Sequence, residues 1–231
     1  LDMKNILARG GIEFLAVFLG IALSLWVDEY QKSKEAKSLN NQILTRLLDN
    51  LEADSIDGTW NNNVHHISMD GIDKIFLWNE RKQPFLDSLD IYLSRTATFV
   101  FFVNNMEEYN SLKGSGRMEL LKDEKLVKKL HEYYTYLDWV KNLDALLRNY
   151  VNEQYFSFMS IYAIGYVLDK EKNVYDNVYP TFTIKNYPPI DKLNYHLGII
   201  KFYRGMCLMG YENLLLKVSE IRSMIREELK G

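Results

Sequence analysis

Residues Gly10 to Val27, GGIEFLAVFLGIALSLWV, form the one continuous apolar run that approaches the length of a bilayer span. As a helix this run rises about 27 Å, against a hydrocarbon core of ~30 Å. Trp26 and Tyr30 fall at its far end, where aromatic side chains favour the membrane interface. The pattern predicts a membrane anchor over residues 1–30 and a water-soluble domain over residues 31–231. Two other readings stand beside it. The shortness of the run and Glu13 suit a buried core helix, and its position suits a secretory signal peptide. Against the signal peptide, the run passes directly into a charged amphipathic stretch without a clear small-x-small cleavage site.

Ala16, Gly20 and Ser24 recur every fourth residue and so share one helix face. Such a small-xxx-small ridge lets a second helix backbone approach closely, which predicts contact with another copy of the chain or with a partner's transmembrane helix. Glu13 lies in the first turn of the run, where it either caps the positive helix end at the interface or makes a polar contact with a partner helix. Lys4 and Arg9 precede the run; Lys32, Lys34 and Lys37 follow it, mixed with Asp28, Glu29 and Glu35. These charges balance too closely to orient it.

The remainder has the composition of a folded domain. Hydrophobic residues make up 47% and charged residues 26%, with a net charge of -3, so a core can be buried and the basic excess of a nucleic-acid binder is missing. Nucleic acid is therefore not an expected partner, whereas membrane lipid is. The single cysteine, Cys207, rules out an intramolecular disulfide and a cysteine-rich zinc site. With 4 prolines and 12 glycines, long regular elements are expected.

Periodicity predicts an all-α domain: an antiparallel bundle of about four or five long helices into which the anchor helix continues. Residues 21–57 contain no Gly or Pro, and Leu39, Ile43, Leu47 and Leu51 mark one face. A second tract is expected over about 60–104, interrupted near Pro84, with the β-rich TFVFFV at 98–103 read as a buried helix end. From Asp123 to about Tyr166 a seam of Leu126, Leu130, Tyr133, Leu137, Val140, Leu143, Leu147 and Val151 recurs at three- and four-residue steps. Pro180, Pro188 and Pro189 break the pattern, predicting an irregular or hairpin crossover over 169–191. The last helix is expected from Lys192 to Leu229, with Leu214, Val218, Ile221, Ile225 and Leu229 on one stripe.

A short motif, Tyr109-x-x-Leu112-x-x-Ser115-Gly116, precedes Asp123 and the Leu126 seam. Physically it is a helix end, with Gly114 or Gly116 in the left-handed conformation and Asp123 capping the next helix. Together with Glu13, Gly20-Ile21, Ala22 and Trp26, it resembles an uncharacterised family of small single-pass inner-membrane proteins of Bacteroidota. That family's anchor reads G-E-I-x-L-V-x-x-G-I-x-I-A-L and its downstream motif Y-x-x-L-x-x-S-G. The chain departs from it at Gly11-Ile12-Glu13, where the family has G-E-I, and in a shorter basic segment before the anchor. The resemblance implies a cytoplasmic N-terminus and a periplasmic helical domain. It implies no activity, cofactor or catalytic residue.

Reactive constellations are thin. Adjacent His65 and His66 point about 100° apart on a helix and cannot face one metal together. His66 with Asp70 and Asp73 is the nearest alternative ligand set, and it also reads as plain surface. His131 and His196 read as satisfied core or surface histidines, and Ser115 between glycines as a turn. No metal, cofactor or catalytic residue is therefore assigned, and an enzyme is not expected. Sixteen tyrosines exceed what one seam needs; they either cover bundle edges or form a protein interface near the crossover. The expected function is a membrane-anchored, non-enzymatic interaction protein, either a homo-oligomer or an accessory subunit of a larger envelope complex. The alternative is a signalling or defence component whose helical domain senses a ligand or partner and acts through the anchor.

Overall fold

A computed structural model describes residues 3–81, 88–164 and 183–230, with side chains described from Phe14 onward. With no proline before Pro84, nothing forces the first helix to stop, and α1 runs unbroken from Met3 to Glu80. Its 78 residues extend about 117 Å. The chain then forms α2 (Leu89–Ala97), α3 (Glu107–Ser115), a 3₁₀ turn (Arg117–Leu120) and α4 (Glu124–Tyr150). A π-helical turn (Val151–Tyr155) leads into α5 (Phe156–Met159); β1 (Ala163–Ile164), β2 (Thr183–Ile184) and α6 (Ile190–Glu228) complete it. The fold is an all-α bundle whose long members are α1, α4 and α6.

α1 and α6 lie antiparallel. Ascending α1, its partners descend α6: Asn40 to Glu228, Glu52 to Arg222, Asn61 to Tyr211, His65 to Arg204, Asp73 to Lys201, and Asn79 to Asn194. The seam predicted in α4 is buried at every position from Leu126 to Val151. It meets Leu44, Leu47 and Leu51 of α1 and Leu214, Val218, Ile221 and Ile225 of α6 in one core. Leu39 of the predicted α1 face is exposed, and Asn40 is the first buried residue among those whose side chains are described.

The tract expected to begin near residue 60 is the continuation of α1. Gly58 and Gly71 do not break that helix but let other elements close on it. A Cβ at Gly58 would sit 3.3 Å from Leu215, and one at Gly71 would sit 3.3 Å from the Tyr92 carbonyl oxygen. The expected turn at Pro84, with Phe85 and Leu86, lies outside the described residues.

Residues 98–106 correct a second expectation. They carry no helix, and Thr98 is already extended, so the segment is not a helix end. Burial alternates along them, with Thr98, Val100 and Phe102 inward and Phe101 and Val103 outward, as in a strand. No strand lies beside them among the described residues, so the segment forms a strap across the bundle whose backbone groups need other partners.

The motif helix α3 ends as its residues dictate. Gly116 takes φ 70° and its N–H reaches the Leu112 carbonyl, while the Ser115 hydroxyl donates to the Ser111 carbonyl at 2.6 Å. Tyr109 and Leu112 are the buried residues of this helix. Asp123 caps α4, accepting the Lys125 N–H at 2.8 Å. The helical stretch expected to reach Tyr166 stops at Met159. There the Tyr162 carbonyl accepts the Lys185 N–H at 2.8 Å, and β1 pairs antiparallel with β2, Ala163 opposite Ile184. This ladder closes the base of the crossover; its residues 165–182 lie outside the described part.

Candidate functional site

The buried face of α1 changes character along its length. Leu44, Leu47 and Leu51 give way at the same three- and four-residue spacing to Asp54, Gly58, Asn61, His65 and Ser68, and then to Ile72 and Ile75. Polar side chains in core positions demand partners, since burying an unpaired one costs several kcal/mol. Some of those partners are on the strap, the others on α1, α2, α4 and α6.

Asp54 accepts from the Asn105 backbone N–H at 2.9 Å and from its side-chain amide at 3.0 Å. Its other oxygen accepts from the Tyr133 hydroxyl at 2.7 Å. One turn on, Asp57 accepts the Val103 N–H at 2.9 Å. The Asn61 amide donates to the Phe101 carbonyl at 3.4 Å and to the Tyr211 hydroxyl at 3.1 Å, and Ser68 donates to the Arg95 carbonyl at 2.7 Å. Burial pushes the Asp54 and Asp57 carboxyls above their ordinary range, and hydrogen bonds offset part of that. Asp54, Asp57 and Asn61 of α1 thus stand in for the neighbouring strand that the strap lacks, while Ser68 holds the end of α2.

At the centre sits Arg204 of α6, fully buried. Its Nη2 donates to the carbonyls of Thr96, at 2.9 Å, and Thr98, and its Nη1 lies 3.1 Å from His65 Nδ1. A guanidinium has only donors, so Nδ1 must accept, and the neutral ring carries its proton on Nε2. That nitrogen faces Asp144 Oδ1 of α4 at 3.3 Å, too poorly aligned for a well-directed hydrogen bond. Asp144 accepts from the Tyr211 hydroxyl at 2.5 Å. The neutral imidazole of α1 therefore lies between the guanidinium of α6 and the carboxylate of α4. Burial pulls Arg204 down to about 10 and holds the His65 imidazole below its usual value.

His65, Asp144 and Cys207 each bring one potential ligand atom within 4.8 Å of the others. The donor types suit zinc, but the surroundings do not. Both ring nitrogens are committed, Nδ1 to Arg204 and Nε2 to its proton, so His65 has no lone pair to offer. Burial, reinforced by Asp144, pushes the Cys207 thiol up, away from the thiolate that a metal needs. The cluster fits a structural network and not a metal centre.

The residues singled out from sequence separate. His65 is fully buried, while His66 is exposed. Asp70 pairs with Lys74 at 2.6 Å and Asp73 with Lys201, so the His66 set does not assemble. His131 Nδ1 meets the Tyr109 hydroxyl at 2.6 Å, and His196 Nδ1 meets that of Tyr150 at 2.9 Å. Tyr133, Tyr134, Tyr155 and Tyr211 belong to the core, whereas Tyr187 and Tyr195 are exposed near the crossover. Tyr166, Tyr175 and Tyr179 lie outside the described residues. Ala16, Gly20 and Ser24 lie on the exposed part of α1, and a Cβ at Gly20 would meet nothing within 4 Å. The Glu13 side chain is outside the described part.

Arg204 and Asp144 were not anticipated. Arg204 falls in seam phase between Ile200, Cys207 and Tyr211, and a charged residue in such a phase is the signal that points to a buried partner. No family model, curated protein or solved structure matches the chain.

Proposed function

We propose that the protein is a membrane-anchored interaction protein without catalytic activity, held by the N-terminal part of α1 in a bacterial inner membrane with its bundle in the periplasm. One observation carries the anchor. Every residue from Phe14 to Leu39 is exposed, including Phe14, Phe18, Ile21, Leu25 and Trp26, and this part of α1 is long and apolar enough to cross a membrane. An uncovered apolar surface of that extent is not tolerated in water. Carbonate extraction tests the reading: the chain should remain in the membrane pellet, and its recovery in the supernatant overturns the anchor. The periplasmic assignment rests on the family resemblance; a reporter that fluoresces only in the cytoplasm, fused after Gly231, should stay dark.

An inert bundle fits the character of its polar groups. The buried network ties Arg204 to His65 and the Thr96 and Thr98 carbonyls, and Tyr211 to Asn61 and Asp144. At the bundle foot, a shallow groove of about 450 Å³ is lined by Lys37, Asn40, Asn41, Lys122, Asp123 and Glu228, a set without a nucleophile paired to a base. The partner in this reading is a second copy or another membrane protein, met through the Ala16, Gly20 and Ser24 ridge.

The continuity of α1 favours a second reading, a signalling or defence component. The same helix carries the apolar segment and the buried Asp54, Asn61 and His65, so displacement at one end is delivered to the other. Native mass measurement in detergent separates the two. A stoichiometric foreign subunit supports the accessory role, and an unaccompanied ring-like oligomer supports a sensor or pore.

A further inference from the structure

His65 lies where the elements of the core cross. From α4 it faces Asp144; from α6 it faces Arg204, Cys207 and Tyr211; His66 and Asn61 are its neighbours on α1, and Tyr155 of the π turn lies near Arg204. Its ring connects the guanidinium that holds the Thr96 and Thr98 carbonyls to the carboxylate of α4. Only the neutral ring can do this. A protonated imidazole has donors at both nitrogens and so offers Arg204 nothing to donate to.

We propose that His65 is an acid-released latch on the strap. While neutral, it holds Arg204 against residues 96–98. Protonation at Nδ1 places two cations face to face at the 3.1 Å contact, and one negative partner, Asp144, cannot compensate both in a buried site. Arg204 then leaves the strap, and the Thr96 and Thr98 carbonyls lose their donor. The device acts within the bundle and stands whether or not α1 lies in a membrane.

The direction follows from linkage. Because burial holds His65 below 6.5, the unfolded or opened chain binds more protons than the closed one between the closed-state value and 6.5. The contribution of the neutral ring is complete above 6.5 and is lost as pH falls below it. Asp54 and Asp57 act oppositely. Their carboxyls are raised in the fold, so protonation favours the closed state, and they cannot cause an acid release. His196 is also lowered by burial and is the group to control for.

Hydrogen exchange on the full chain in detergent micelles tests the latch, read on strap peptides that contain the Val103 and Asn105 amides. After correction for intrinsic rates, protection should fall roughly tenfold or more between about pH 7.5 and about pH 5, the range in which histidine charges. His65→Gln offers an oxygen to Arg204 and an N–H to Asp144 without titrating, so it should keep strap protection at both pH values. His196→Gln should lose protection as the wild type does. Unchanged protection of the wild type in acid, or a parallel loss in His65→Gln, overturns the latch. Nitrogen NMR of the wild-type ring is independent of any variant: a protonated Nε2 and bare Nδ1 are expected near neutrality, and a proton on Nδ1 there refutes the proposal.

Discussion

The Tyr133 hydroxyl donates to Asp54 at 2.7 Å, tying α4 to α1 directly beneath the point where Asn105 leads the strap into α3. The carboxylate is an acceptor for three donors at once: this hydroxyl, the Asn105 backbone N–H and the Asn105 side-chain amide. Both residues are buried, so whatever loses its partner there loses access to water as well.

Tyr133→Phe should therefore destabilise the fold by about 1–3 kcal/mol, the cost of removing a hydrogen bond to a buried charged group. Asp54→Ala should cost more, since it strands all three donors. Urea unfolding of the two variants, compared at equal slope, checks the order. Equal stabilities would mean that the carboxylate is solvated.

Arg204→Met keeps an unbranched apolar stem in the α6 seam while removing the charge. It leaves Asp144 without its cation and the Thr96 and Thr98 carbonyls without a donor, and a loss of about 3–5 kcal/mol is expected. Arg204→Lys should recover little of this, because an ammonium cannot reproduce the planar fork that spans His65 and the strap. A denaturation series with Asp144→Asn as the second member of a double-mutant cycle measures the coupling.

Two glycines of α1 should respond oppositely to alanine. At Gly58 the new methyl would meet flexible side chains, Leu215 at 3.3 Å and Phe102 at 3.4 Å, which can yield. The helix gains up to about 1 kcal/mol, so Gly58→Ala should be neutral or stabilising. At Gly71 the obstacle is the Tyr92 carbonyl oxygen, which α2 holds in place, and Gly71→Ala should cost about 1–3 kcal/mol. Thermal unfolding of both variants decides it.

Gly20→Leu places a bulky side chain where nothing in the chain itself lies within 4 Å, so it should leave the bundle's stability untouched. If the ridge packs against another helix, association should weaken by roughly 1 kcal/mol or more. Leu19→Ile, which points elsewhere, is the control. Crosslinking yield in membranes reads the effect, and an unchanged yield means that the ridge faces lipid.

The helical core was legible because its seams repeat at one period. The seam from Leu126 in α4 to Val151 in the π turn and that from Leu214 to Ile225 in α6 are buried as that period dictates. The strap was not legible, because its pattern repeats every second residue while its partners are side chains on α1 and α6, far away in sequence. The network was half visible. Asp54, Asn61, His65 and Arg204 hold seam positions, but only the antiparallel register of α1 and α6 brings the last two together. The gap expected between the tract ending at residue 57 and the one beginning near 60 fell at Gly58, because an isolated glycine weakens a helix, whereas α1 runs through it; at Gly71 the Tyr92 carbonyl oxygen leaves no room for a side chain.

The bare stretch of α1 also sets a stand-off. In the proposed membrane setting, the residues between Val27 and Lys37 rise clear of both lipid and bundle, and an upright helix of that length lifts the bundle by roughly 14 Å. That exceeds the ~8 Å screening distance at physiological salt, so the charge of the lipid surface fades before it reaches the bundle foot. A partner of the bundle would thus be met in water, at a fixed height, and shortening the stalk by whole turns would lower that height without altering a single contact in the core.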